Sequence, residues 1–165
     1  LNILDLDRAV IVALGSNLGT SEDLLEAALL RLAAEGLPIL ARSGWWRSAA
    51  WPDPTQPAYR NGVAIVETNR DPAAVMETLL AIEAALGRRR TTRNAPRTLD
   101  LDLIAYGRTI LDNPDLTLPH PRAHERRFVM GPLAEIAPAW VHPVLGETAE
   151  VLARTARVGM DAARV

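Results

Sequence analysis

At 165 residues with 48% apolar content, the chain fits one globular domain around a single core. A net charge of −2 and the absence of cysteine argue against a general nucleic-acid or membrane-surface role and exclude disulfide and thiolate chemistry. All 18 basic residues are Arg, which excludes a P-loop and lysine-based kinase machinery, so any phosphate must be held by Arg, backbone N–H groups or metal. No apolar run approaches the ~20 residues that span a bilayer. Residues 1–8 show no basic n-region of a secretory signal and are read as an N-terminal extension. A cytoplasmic protein is expected.

In chain order, the apolar run Ala9–Leu14 predicts a buried strand, and the turn Gly15-Ser16-Asn17-Leu18-Gly19 follows it. Thr20 or Ser21 can cap a helix whose stripe is Leu24, Leu25, Ala28, Leu29 and Leu32, ending near Gly36. A second strand is predicted over 39–46. Pro52, Pro54 and Pro57 mark 48–58 as a loop, and 63–68 reads as a third strand. Asp71-Pro72 opens a second helix with Val75, Leu79, Ile82 and Leu86 on its buried face and Gly87 at its end. A fourth strand runs over 98–106. The order βαββαβ predicts an α+β, ferredoxin-like core. Helical and extended additions follow: a short segment at 109–111, a loop around His120, a helix over 126–136, an extended stretch at 140–144 and a helix over 148–155. No repeat or linker divides residues 1–165, so a single domain is expected.

The fourth strand carries the strongest chemical signal, Asp100-Leu101-Asp102-Leu103-Ile104. Period two sends both carboxylates to one face with Cα atoms roughly 6–7 Å apart. Two carboxylates so placed can share a pair of divalent metals about 3.5–4 Å apart, the geometry that clamps a transferring phosphoryl group. The plain alternative is the solvent face of an antiparallel sheet. Upstream, Arg88, Arg89, Arg90, Arg93 and Arg97 form a local anion site with no acidic residue among them. Guanidinium forks match phosphate oxygens, although the same loop could pair with Glu77 or Glu83. Beside the Asp pair, the metal-bound polyphosphate reading is favoured.

His120 and His124 have the four-residue spacing of a helical zinc pair. Pro121 instead places His120 at a helix entrance, where a phosphate donor near Arg122 and Arg126 is the better reading. Tyr59 and Asn61 share a face at the start of the third strand. A ring and an amide there suit a flat heterocycle, while a core role for Tyr59 and Phe128 is the ordinary alternative.

Four collinear segments resemble the 6-hydroxymethyl-7,8-dihydropterin pyrophosphokinase family of folate biosynthesis. They are Ala13–Gly19, Gln56–Asn61, the long and specific Ala95–Ile104, and Leu118–Arg122 with Arg126–Val129. The resemblance extends over about residues 9–143. It implies transfer of pyrophosphate from ATP to the pterin hydroxymethyl group with release of AMP, a ferredoxin-like core and two Mg²⁺ ions. By position, Asp100 and Asp102 would hold both metals. Arg88 and Arg97 would act on the phosphates during transfer, with Arg90 on a mobile loop. Glu83, Thr117, His120 and Arg126 fall where the family contacts ATP, and Leu103 near adenine. Tyr59 and Phe128 would sandwich the pterin, with Asn61 and Ser48 reading its edge. The partners implied are these two small molecules, with no nucleic acid and no membrane, bound by a monomer.

The chain departs from the family pattern at Asn94-Ala95, where many members have an aromatic residue and Gly, and Trp51 is the candidate substitute. Pro121 stands where many have Tyr, and Leu80 replaces a polar residue. Two competing readings are an RNA-binding ferredoxin-like module, which lacks the aromatic strand such modules use, and another two-metal phosphoryl-transfer enzyme such as a nuclease.

Overall fold

The computed structural model describes residues 4–17, 21–50, 53, 55–87 and 99–165. Its strands are β1 (Val10–Ser16), β2 (Ile39–Arg42), β3 (Trp46–Ser48), β4 (Tyr59–Val66), β5 (Asp100–Tyr106), β6 (Leu111–Asp112), β7 (Thr117–Leu118) and β8 (Ala163–Arg164). Its α-helices are α1 (Ser21–Ala34), α2 (Pro72–Leu86), α3 (Arg127–Ile136) and α4 (Ala149–Thr155). The main sheet runs β5-β1-β4-β3-β8, with β2 also on β4, and every pair in it is antiparallel. No helix among the described residues is long and apolar enough to cross a membrane.

Strand β1 is buried along its whole length because it is central and covered on both faces. On one face, Val10, Val12, Leu14, Ala64, Val66, Leu101 and Leu103 meet the stripes of α1 and α2. On the other, Ile11, Ala13, Val63, Ile65 and Ile104 meet α3, α4 and the buried Trp140. Each fully buried Leu or Ile here contributes about 1.5–3 kcal/mol. The helix signals hold locally. Asp71 accepts the N–H of Ala74 at 2.8 Å with Pro72 in the first turn, and Thr148 accepts that of Val151 at 3.2 Å.

The predicted second strand is two strands, β2 and β3. Ser43 explains the break: its hydroxyl accepts the N–H of Val63 at 3.0 Å and donates to the carbonyl of Gly44 at 2.7 Å. The side chain thus occupies a position that a strand carbonyl would fill. The third strand begins at Tyr59 rather than Val63 and ends at Val66, because Tyr59, Arg60 and Asn61 pair with Ser48, Arg47 and Trp46. Thr98 lies outside the described residues. The stretch predicted as extended near 140–144 is a turn closed by one bridge, Val141 to Thr148, with Gly146 at φ +72°. Strand β8 was not predicted; it joins the sheet beside β3.

Candidate active site

Alternation along β5 sorts its side chains. Leu101 and Leu103 are buried on the α1/α2 face, whereas Asp100 and Asp102 are half-buried on the opposite one. The register extends this face across the sheet: Asp100 lies opposite Gly15, Gly15 opposite Asn61, Asn61 opposite Trp46, and Trp46 opposite Arg164. Asp102 lies opposite Ala13, which begins the apolar layer. The carboxylates therefore stand where the apolar packing of that face gives out.

Gly15 has a specific task in this row. A Cβ there would sit 2.7 Å from Asn61 Nδ2, so the missing side chain makes room for the Asn61 amide. Tyr59 follows on the same face, half-buried and opposite the buried Ser48. The predicted pterin residues Ser48, Tyr59 and Asn61 are thus neighbours on two paired strands.

His120 is carried to β5 by its own backbone, whose N–H donates to the carbonyl of Ile104 at 2.8 Å. Its Nδ1 accepts the N–H of Arg122 at 3.1 Å, which leaves the proton of the neutral ring on Nε2. Burial holds its pKa below 6.5; Asp102 pulls the other way, and Arg126, Arg122 and His124 add to the depression. Burial thus favours the neutral imidazole, an N–H donor beside a carboxylate and two guanidinium groups. Arg126 also stacks on Phe128, its Cζ 5.8 Å from the ring centroid. Phe128 is half-buried and seated against Gly159, where a Cβ would come within 2.6 Å of the ring. Thr117 is half-buried in the β6–β7 hairpin that leads to His120. His124 lies in a short 3-10 turn and not on a helix with His120; its ring meets His142 edge-on at 5.7 Å. Among the described residues no three His, Cys, Asp or Glu side chains form a metal cage.

Two residues expected at ATP are buried. The Leu103 side chain belongs to the core, so only its backbone is left to meet a nucleotide. Glu83 is 4% exposed, and its Oε2 accepts the N–H of Leu101 at 2.7 Å. Arg88, Arg90 and Arg97, together with Trp51 and Asn94-Ala95, lie outside the described residues. Leu80 is exposed on α2 and Pro121 is exposed. Sequence reasoning missed the seat of Trp46, whose ring packs where a Gly131 Cβ would stand, at 2.7 Å, while its Nε1 donates to Glu135 at 3.0 Å. The Trp and the distant Gly were both visible, but nothing local joins them.

Paired carboxylates beside an imidazole donor and guanidinium groups suit a metal-bound polyphosphate, the equipment of a phosphoryl-transferring enzyme. The comparisons with known proteins narrow this class. The family model for 7,8-dihydro-6-hydroxymethylpterin-pyrophosphokinase matches residues 11–138. A Synechocystis 2-amino-4-hydroxy-6-hydroxymethyldihydropteridine pyrophosphokinase is 46% identical over 142 residues, covering 86% of this chain and 72% of the relative. The enzyme of that name from Methylorubrum extorquens is 40% identical, covering 91% of this chain and 95% of the relative. Among solved structures, wild-type HPPK-DHPS of Plasmodium falciparum superposes with a TM-score of 0.69 at 13% identity, over 88% of this chain and 44% of that one. This last likeness concerns the fold alone, and the chain spans less than half the length of that protein.

The chain belongs to the 7,8-dihydro-6-hydroxymethylpterin-pyrophosphokinase family. The family's reaction is pyrophosphoryl transfer from ATP to hydroxymethyldihydropterin, in folate biosynthesis.

Proposed function

We propose that residues 1–165 act as one pyrophosphokinase domain on a ferredoxin-like βαββαβ core, with residues 1–8 as an extension and Asp100 and Asp102 as the ligands of two Mg²⁺ ions. The observation that carries this reading is the placement of both carboxylates on one half-open face, with the His120 imidazole beside Asp102. The donor set fits: Mg²⁺ takes one or two carboxylates and completes its shell with phosphate oxygens and water. Bound there, the ions would draw charge from the β-phosphoryl group as it transfers.

The remaining residues bind and orient. His120 donates its Nε2–H to an ATP phosphate oxygen, and Arg126 neutralises another. Arg88, Arg90 and Arg97, which precede β5 in the sequence, extend that neutralisation. Thr117 and the backbone of Leu103 hold the nucleoside end. Tyr59 and Phe128 stack on the two faces of the pterin ring, while Asn61 and Ser48 hydrogen-bond its edge. The nucleophile is a primary alcohol, so in-line alignment carries more of the rate than a strong base. We take the protein to work as a cytoplasmic monomer on these two small molecules, without nucleic acid or membrane.

Incubation with ATP, Mg²⁺ and 6-hydroxymethyl-7,8-dihydropterin should release AMP, and chelation of the metal should stop it. ADP as the sole nucleotide product, or no turnover by folded protein, would contradict the reading.

A further inference from the structure

We infer that Glu83 is a positioning residue: its buried carboxylate grips the backbone of β5 between the two aspartates and so sets where they stand. Strand β5 ends the sheet, with β1 on one edge and, among the described residues, no strand on the other. Backbone groups on such an edge need partners of another kind. Two are supplied. Glu83 Oε2 accepts the Leu101 N–H at 2.7 Å, and the His120 N–H donates to the Ile104 carbonyl at 2.8 Å.

The first of these grips lies at the centre of the site. Leu101 separates Asp100 from Asp102, so a shift of its peptide moves both carboxylates. Helix α2 delivers Glu83 to this point, one turn beyond Leu79 on the buried stripe, and Gly87 ends the helix with its N–H on the Glu83 carbonyl at 2.8 Å. A carboxylate kept in an apolar interface is costly unless it is engaged, and an N–H bond to an ionised oxygen is among the stronger hydrogen bonds.

The kinetic consequence rests on the pyrophosphokinase reading, while the structural grip stands without it. The test uses Glu83→Gln, which keeps an acceptor, and Glu83→Leu, which keeps volume and removes the acceptor. Each is measured by amide exchange at Leu101 and by steady-state AMP release. Leu101 should be protected in the parent and in Glu83→Gln, and should lose that protection at least tenfold in Glu83→Leu. On the order of a 100-fold loss of kcat should accompany it, as for displaced catalytic groups, with the KM for ATP changed less than threefold; Glu83→Gln should restore most of that kcat.

Unchanged Leu101 protection in Glu83→Leu, or a KM for ATP raised tenfold in both variants with protection intact, would overturn the inference in favour of a nucleotide contact. If Glu83→Leu does not fold, Glu83→Ala replaces it with the same readouts: Leu101 protection lost with the KM for ATP unmoved supports the grip, and protection kept refutes it. If the parent releases no AMP, the function reading fails while the exchange result still judges the grip.

Discussion

The two faces of β5 do opposite work. Leu101 and Leu103 enter a layer sealed by α1 and α2 and are 1% and 3% exposed, whereas the alternating Asp100 and Asp102 remain half-buried on the other side. The first face removes apolar area from water and stabilises the fold. The second holds carboxylates partly desolvated, which costs stability and keeps charge where a metal-bound phosphate can use it. Strand periodicity lets one seven-residue segment do both. Stability and chemistry should therefore separate by residue parity.

The largest effect should come from the polar face. Asp102→Ala and Asp100→Ala should each lower AMP release by at least about 10³-fold, ~4 kcal/mol of transition-state stabilisation, with thermal midpoints close to the parent. Substantial turnover in both variants would remove these carboxylates from the mechanism. The apolar face should answer inversely. Leu101→Ala should lower unfolding free energy in urea by about 3 kcal/mol, while kcat per folded molecule falls less than tenfold.

A smaller effect tests the row beside the carboxylates. Gly15→Ala places a Cβ against the Asn61 amide, so the KM for the pterin should rise by about tenfold, roughly 1.4 kcal/mol, with the KM for ATP nearly unchanged. Equal shifts in both constants would deny Asn61 its place at the pterin edge. The smallest effect lies away from β5. His142 Nδ1 accepts the N–H groups of Val144 and Leu145, at 3.2 and 3.0 Å. Burial, with His124 second, lowers its pKa from 6.5 to about 4. Its unfolded form takes up a proton first, so its contribution is complete above pH 6.5 and is lost as pH falls toward about 4. Urea unfolding at about pH 5.5 should show ~1 kcal/mol less stability than at pH 7.5 on this account, a loss that His142→Asn should not share.

What the sequence made legible was what depends on near neighbours. The Asp-Leu-Asp-Leu alternation foretold which side chains of β5 share a face, and Asp71-Pro72 foretold the cap of α2. Residues joined only by folding stayed hidden. Ser43 reads as one more strand residue until its hydroxyl meets the Val63 N–H, which splits the expected strand. Resemblance marks Glu83 for ATP, but its bond to the Leu101 N–H, eighteen positions away, shows only in the fold. Strand β8 is two residues long, and its pairing with β3 follows from the register of the whole sheet rather than from any pattern in Ala163-Arg164.

The most direct measurement is a crystal structure with Mn²⁺ and a non-hydrolysable ATP analogue, the ions located by anomalous scattering. Two peaks about 3.5–4 Å apart, each within bonding distance of carboxylate oxygens of Asp100 and Asp102 and of phosphate oxygens, are the predicted result. A nucleotide bound with its metals elsewhere would contradict the assignment of this strand as the metal-bearing element.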